Sequence, residues 1–513
     1  MVIKLQKNKK NKILFWIDLG VTHFGIAKFL QKEYDLFAIY DVNPNQKKEF
    51  MNQESINFIK FWFLWDYVKN LKDQPDFEYL RNFEERYKIN LWTTALTDRS
   101  LHTFNPFYKF SRNEILQITE KTCKLFEQIL DEIQPDFLAI RVTDFHRNHM
   151  LYEICKAKGV TVLMLTESRL GFRATINSEF TKIDPSWERE SVPTYVKNLE
   201  SLYSFLDKSN RFTQTKSQIS SGLTLSTGKK FLAGLSWFKE SRSSGYKEMY
   251  IHFGTSFWKT ARHYLFTDLK RKHRGNFIDK NSVRKIPMGE KFVFFPLQLE
   301  PERNTSIDTP FYTNQLELIK NVAKSLPVEY KLYVKEHYNM IFRGWRPTKF
   351  YKKIIDLPNV YLIHTSIQPK EIISKCSLVT TISSTAGLDA AYQMKPTIVF
   401  GDIIYQTLPS VKKITDLESL PQSIRSQLEQ KVKESDVIDF VNLLIHNSFE
   451  FDLFELNNKV AKKFHAEGFQ LKPNITIDEL DQFIDDHKKE YEFLTNEYDK
   501  KIKRYNEIKN KAL

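Results

Sequence analysis

The chain has 513 residues, 41% hydrophobic and 27% charged, which is ordinary globular composition and too much sequence for one compact core. Fifteen glycines and eighteen prolines exclude a collagen-like or low-complexity chain, and three scattered cysteines (Cys123, Cys155, Cys376) exclude a disulfide framework or a cysteine-rich zinc site. The net charge of +14 is concentrated: Lys229 to Lys285 carries fourteen Lys and Arg against four acids, a stretch that attracts anionic lipid, anionic glycan or nucleic acid.

The N-terminus is basic (Lys4, Lys7, Lys9, Lys10, Lys12), but the apolar run after it is only Ile13 to Ile17 before Asp18 interrupts it. That is too short for a signal peptide or a spanning helix, so a cytoplasmic protein is expected. Ile13 to Ile17 reads as a strand, His23 to Gln31 as a helix and Leu36 to Tyr40 as a second strand. After an aromatic helical region the pattern returns. A long helix from Glu114 to Ile133 precedes the strand Asp136 to Ile140, a helix from Asn148 to Lys158 closes on Gly159, and Val160 to Leu165 is a buried strand. Strand, helix and strand in this rhythm mean parallel pairing with crossovers, a doubly wound sheet.

From Ser178 to Ile286 the rhythm lapses, then resumes at the strand Phe292 to Phe295. Strands at Lys331 to Val334, Val360 to Ile363, Leu378 to Ile382 and Thr397 to Phe400, separated by helices, make a second α/β unit. The tail from Ile475 is charged and helical, with Leu480, Phe483, Ile484, Tyr491 and Phe493 spaced for one apolar face as a packing or oligomerisation element. The expected organisation is therefore 1–200 for an N-terminal Rossmann-like unit and 201–286 for a basic, aromatic-rich connection. A C-terminal Rossmann-like unit follows over 287–445, with a helical tail over 446–513. In two such units facing a cleft, the ligand lies at the carboxyl ends of the strands.

Three elements of the second unit carry chemistry. Thr380 to Ala391 runs from an apolar strand through Ser383, Ser384 and Thr385 into a helix containing Gly387. Unsatisfied N–H groups at such a turn suit a phosphate, the hydroxyls add donors, and Asp389 one turn on can accept from ribose hydroxyls; the same residues also serve as a plain N-cap. Lys335 and His337 stand just past a strand end, where a cation and an imidazole can meet a leaving phosphate, though a solvated strand end looks the same. Gln298 and Glu300 follow the first strand, on a Pro-bounded loop at the same edge.

Taken in order, these elements resemble the capsule polysaccharide biosynthesis family over about Lys291 to Val411. Arg343 to Tyr351, Leu357 to Val360 and Lys395 to Asp402 with Tyr405 belong to the same series. Two departures stand out: the family's His-Pro is His337-Tyr338 here, and its helical Glu is Asp389, which leaves the choice of nucleotide open. The resemblance implies a GT-B fold and an inverting, metal-independent glycosyltransferase with no bound cofactor. Its donor nucleotide-sugar would contact Gln298, Glu300, Lys335, His337, Ser383, Ser384, Thr385, Gly387 and Asp389. His337 would assist departure of the phosphate. It further implies a glycan or lipid-linked glycan acceptor on the first unit, with the general base just past a strand end. Asp18 and Glu167 lead that choice, and His23, Asp144, His146 and Arg169 occupy comparable places. A teichoic-acid-type CDP-alditol phosphotransferase, a nucleotide-sugar epimerase and a non-catalytic export scaffold are the competing functions.

No His/Asp/Glu cluster has metal-ligand spacing, so no metal is expected. In the basic stretch, Lys270-Arg271-Lys272-His273-Arg274 reads as a solvated loop. With Trp237, Phe238, Tyr246, Tyr250, Phe257, Trp258 and Tyr264 interleaved, it reads instead as an anionic membrane surface contact across 229–285. No nucleic-acid-binding signature accompanies it, so nucleic acid is not an expected partner.

Overall fold

The computed structural model describes residues 10–18, 21–184, 186–187, 192–207, 247–466, 470–471 and 475–512. Its first sheet holds β1 (Lys12–Asp18), β2 (Asp35–Asp41), β3 (Lys60–Phe63), β4 (Phe137–Arg141), β5 (Thr161–Glu167), β6 (Arg173–Asn177) and β13 (Phe449–Glu450). Strands β3-β2-β1-β4-β5 lie parallel in that order, with β6 antiparallel beside β5 and β13 beyond it. The second sheet is parallel throughout, in the order β12-β11-β10-β7-β8-β9. Its strands are β7 (Phe292–Pro296), β8 (Lys331–Lys335), β9 (Val360–Ile363), β10 (Leu378–Thr381), β11 (Thr397–Val399) and β12 (Val411–Lys413).

The sequence accounts for this layering. Alternate residues of β1 enter opposite cores, Ile13, Phe15 and Ile17 on one face and Leu14 and Trp16 on the other. In β7, Val293 and Phe295 face one core while Phe292 and Phe294 face another. A strand buried on both faces is continuously apolar, and that requires crossover helices on each side. In each half the strand order reverses between the first strand and the one that follows three places later, β1 with β4 and β7 with β10. Crevices at the carboxyl ends of those pairs are where such sheets present ligand-binding groups.

The helices used below are α1 (Thr22–Leu30), α2 (Leu91–Leu96), α3 (Arg99–His102), α4 (Arg112–Ile133), α5 (His146–Ala157) and α6 (Phe257–Asn281). They continue with α7 (Ala386–Tyr392), α8 (Glu434–His446), α9 (Ile477–Asp486) and α10 (Lys488–Ala512). Helix α4 carries a full capping box, Ser111 with Glu114, and Gly159 after α5 adopts φ +73°, as a helix-ending glycine should.

The tail is a packing element of the first half. Leu480, Phe483, Ile484, Tyr491, Leu494, Tyr498 and Ile502 share one core with Ile13, Phe15 and Ile17. At Gly25 of α1, an added Cβ would strike the Tyr491 ring, with Cζ 2.9 Å away, so glycine permits this approach. Phe493 lies off the buried face, against the sequence expectation; it is 38% exposed and stacks on Phe451. The return of the chain is secured at Arg173, whose guanidinium donates to Ile445 O (3.0 Å) and to Ser448 Oγ (2.8 Å). Conversely, Trp187, Val196 and Leu202 pack with Leu388, Val399 and Tyr405 of the second half, although Trp187 and Val196 belong in sequence to the first unit.

The basic run is not a loop. Lys270 to Arg274 lies inside α6, a helix of 25 residues. Arg271 Nε donates to Ile341 O (2.9 Å) and Arg274 Nη1 to Gly344 O (3.0 Å) and Trp345 O (2.8 Å), so two of its cations hold the second half together. Lys229, Trp237, Phe238 and Tyr246 lie outside the described residues.

Candidate functional site

The turn after β10 begins with Thr381, whose Oγ1 accepts from Ser384 N (3.3 Å) and from Gln298 Nε2 (3.1 Å). Ser384 Oγ accepts from Ala386 N (3.2 Å), while Thr385, at the formal N-cap of α7, makes no side-chain cap and stays exposed. Ser383 Oγ is buried with no hydrogen-bond partner among the described residues. The hydroxyl series therefore satisfies only part of the turn, and Ser383 and Thr385 remain to meet something else. Tyr405 buttresses the turn by donating its hydroxyl to Ser384 O. Gly387 makes room for that ring, since a Cβ there would lie 2.7 Å from Tyr405 Cζ. Asp389 opens to the water of the cleft, yet the surrounding protein desolvates it enough to raise its pKa to about 6, with Lys370 pulling weakly the other way.

Lys335 ends β8 with only 6% of its surface exposed, and that burial lowers its pKa to about 8 against the opposing charge of Glu336. His337 stands at the rim beside it. Desolvation by the surrounding walls, together with Lys335, Arg343 and Arg346, lowers its pKa to about 4, so it is neutral at physiological pH. A cationic ammonium, a neutral imidazole and partly unsatisfied hydroxyls thus line one edge of the second sheet.

Gln298 and Glu300, expected at the same edge, are engaged as framework. Gln298 is buried; its backbone N–H donates to Gln315 Oε1 (2.7 Å) and its side chain holds Thr381. Glu300 accepts from Arg346 and Gln315. Arg346 in turn donates to Glu336 (2.9 Å) and to Gln298 O (2.6 Å), and Glu336 also accepts from Tyr351 OH (2.7 Å) and His337 N (2.8 Å). This buried network, centred on Arg346 and Glu336, fixes the β7 and β8 loops relative to the turn. The structure brings Lys335, His337 and the Ser383 to Asp389 turn to one face and sets Gln298 and Glu300 behind it.

On the first half, a pocket of about 70 Å³, open to solvent, is lined by Thr93, Thr94, Thr97, Asp98, Arg99, Asp144, His146 and His149. Ser306, Ile307 and Pro310 of the second half close its far wall, so the pocket spans the two halves. Asp144 follows β4, at the switch point. The walls desolvate it and raise its pKa, Arg99, Arg303 and Arg141 pull it down, and Asp18 across the crevice pushes it up again. Arg99 donates to the Asp144 carbonyl, and its Nε is buried without a partner among the described residues, as is Asp98 Oδ2. Both His146 ring nitrogens are likewise buried without a well-formed hydrogen bond. Unsatisfied donors and acceptors converging on one pocket suit a polyhydroxylated ligand.

Asp18 and Glu167, the leading base candidates, both lie at the carboxyl edge of the first sheet. Asp18 faces Asp144 closely enough to influence it; Glu167 sits near Arg169, which adopts φ 64° and has a buried Nη1 with no hydrogen-bond partner among the described residues. His23 is elsewhere: buried under the tail, it pairs with Tyr498 OH (2.8 Å) and its pKa falls to about 3, a core histidine satisfied by a neutral contact. Sequence reading missed Arg99 and Asp98 altogether, because short α3 joins the site from outside the strand-end pattern. It also missed Arg303, which crosses the cleft to Thr143 O (3.0 Å) while paired with Asp308. Among the described residues no group of three or more His, Cys, Asp or Glu is placed to hold a metal ion, and no helix is long and apolar enough to cross a membrane.

Two Rossmann-type halves, each with ligand-facing groups at its switch point and with one pocket between them, define a GT-B-like protein. Residues 236–431 match the model of the capsule polysaccharide biosynthesis protein family, so the resemblance read over Lys291 to Val411 is borne out within that stretch. Protein FixF of Sinorhizobium fredii (strain NBRC 101917 / NGR234) is 27% identical over 150 residues, 28% of this chain. The chain spans 35% of the length of that relative. Among solved structures, Thermosulfurimonas dismutans KpsC, a beta Kdo 2,7 transferase, is 16% identical at a TM-score of 0.30, covering 72% of this chain and 97% of its own. Methanocaldococcus jannaschii UDP-GlcNAc 2-epimerase, in complex with UDP-GlcNAc and UDP, is 10% identical at a TM-score of 0.25, covering 85% and 100%.

Proposed function

We propose that this protein is an inverting glycosyltransferase that moves a sugar from a nucleotide-sugar donor to a growing cell-surface polysaccharide or its lipid-linked precursor, at the cytoplasmic face of the membrane. One observation carries the reading. A chain of contacts joins the Asp144 pocket to the anion-accepting edge at Lys335: Arg99 donates to the Asp144 carbonyl and to Pro301 O (3.4 Å), and Arg343, a charged neighbour of His337, donates to the same Pro301 O (2.8 Å) and lies 3.9 Å from Glu302. The family match over 236–431 supports polysaccharide assembly as the setting.

In this mechanism the donor's phosphates lie against Lys335 and the hydroxyls of Ser384 and Thr385, with Ser383 below and Asp389 accepting from the ribose. The acceptor sugar occupies the Asp144 pocket. Asp144, made more basic by its surroundings, takes the proton from the acceptor hydroxyl as that oxygen bonds to the anomeric carbon. The bond from that carbon to the phosphate oxygen breaks on the opposite side, inverting the configuration. Lys335 meets the charge on the departing phosphate and neutral His337 donates a hydrogen bond to it, so no divalent metal is required. The charge of Asp18 across the crevice sustains the basicity of Asp144; Glu167, beside Arg169, is the alternative base.

The test is Asp144→Asn. It should leave nucleotide binding within about twofold while transfer to acceptor falls by roughly 10²–10⁴, the usual worth of a general base. Unchanged transfer would move the base to Asp18 or Glu167; lost nucleotide binding would remove the division of labour between the halves.

A further inference from the structure

Helix α6 presents a face that none of the described residues covers. Trp258 is 79% exposed, Leu265 58%, Phe266 50% and Leu269 56%. At 100° per residue these four side chains fall within one arc of about 100°. Arg262 lies inside that arc, and Lys259, Lys270 and Lys272 flank it, all of them exposed. The opposite side of the helix is committed inward, through Ile278 in the core with Trp345 and Tyr351 and through Arg271 and Arg274 on backbone carbonyls. The apolar outer face is therefore not a core face that lost its partner, because the helix has its partner on the other side.

We infer that this face of α6 is a membrane-docking surface that seats in the interface of an anionic lipid bilayer. Trp, Phe and Leu on an interfacial helix sink to the boundary of headgroups and acyl chains, while Lys and Arg beside them meet the anionic headgroups. A second copy of this chain fits the face poorly, since pairing two such surfaces would set the Arg262, Lys270 and Lys272 cations against their counterparts. The earlier expectation assigned attraction to Lys270, Arg271, Lys272 and Arg274 together. The structure divides them: Arg271 and Arg274 hold the fold, and Lys270 and Lys272 remain for lipid. This inference is independent of the transferase reading, and a protein with no transfer activity would carry the same surface.

The experiment is co-sedimentation of the full chain with vesicles of phosphatidylcholine alone and of equal parts phosphatidylcholine and phosphatidylglycerol, at low and high salt. Binding should be confined to the anionic vesicles and weaken as salt rises. Lys270→Gln with Lys272→Gln should reduce it about thirtyfold. Leu265→Gln with Leu269→Gln should reduce it on the order of a hundredfold, even at low salt where charge is fully effective. All four positions are exposed, so circular dichroism and thermal unfolding should match the parent chain. Equal binding to neutral and anionic vesicles, or unaltered binding in the leucine variant, would overturn the inference. So would a parent chain that forms dimers in the absence of lipid that the leucine variant dissolves, which would assign the face to a second copy.

Discussion

Lys335 offers the sharpest test of the donor site. Burial holds its pKa at about 8 rather than near its ordinary 10.5, so the empty site holds a cation below pH 8 and loses it above. A bound phosphate favours the charged form, so its pKa must rise on binding and the complex must take up a proton. Donor affinity is then fully present below about pH 8 and declines as pH rises through it. At pH 9 only about a tenth of the empty sites are charged, and the apparent dissociation constant should be about tenfold weaker than at pH 7. Lys335→Met should weaken binding at pH 7 by about 1.5–3 kcal/mol, the range for a hydrogen bond to a charged group, and should flatten the alkaline limb. Calorimetric titration of the donor from pH 7 to pH 10, in buffers of differing ionisation enthalpy, reads both the affinity and the proton uptake. An alkaline limb that persists unchanged in Lys335→Met would refute the assignment.

Three further outcomes follow from the same geometry. Asp389, raised to about 6, accepts ribose hydroxyls best when ionised, so donor binding should weaken as pH falls through about 6, and titration of Asp389→Asn should show no such acidic limb. Gly387→Ala would drive a methyl group into the Tyr405 ring and should cost about 1–3 kcal/mol of stability by chemical denaturation while loosening donor binding. Transfer activity should survive EDTA and gain nothing from added Mg²⁺ or Mn²⁺, because the leaving phosphate is met by Lys335 and the turn; activity lost to chelation and restored by metal would contradict this.

Much of the architecture could be read from the chain because its signals are local. Continuous apolar runs such as Ile13 to Ile17 and Phe292 to Phe295 must be buried on both faces, and that alone implies crossover helices and parallel sheets. The Ser383 to Asp389 turn was legible for the same reason: a strand, hydroxyls and a glycine stand next to one another. What stayed hidden depends on contacts across long separations. Nothing near Glu336 announces that Arg346 and Tyr351 will bury its carboxylate, or that Arg346 will also engage Glu300; in sequence Glu300 reads as a donor contact on a Pro-bounded loop. Arg99 reaches Asp144 across 45 positions, from a four-residue helix with no pattern of its own. The basic run in α6 misled because charge density looks alike in a loop and on a helix, and only tertiary packing separates Arg271 and Arg274 from Lys270 and Lys272.

The central claim is that this cleft transfers a sugar, and product analysis tests it most directly. The full chain would be incubated with a panel of CMP-, CDP-, UDP- and GDP-activated sugars and a glycan acceptor, and followed by NMR at the anomeric carbon with detection of the released nucleotide. Transfer predicts one donor consumed, its nucleotide released, and a new glycosidic bond whose anomeric configuration is opposite to the donor's. A nucleotide-sugar that returns epimerised and still joined to its nucleotide, an alditol phosphate moved in place of a sugar, or a bound donor that never turns over with any acceptor would contradict it.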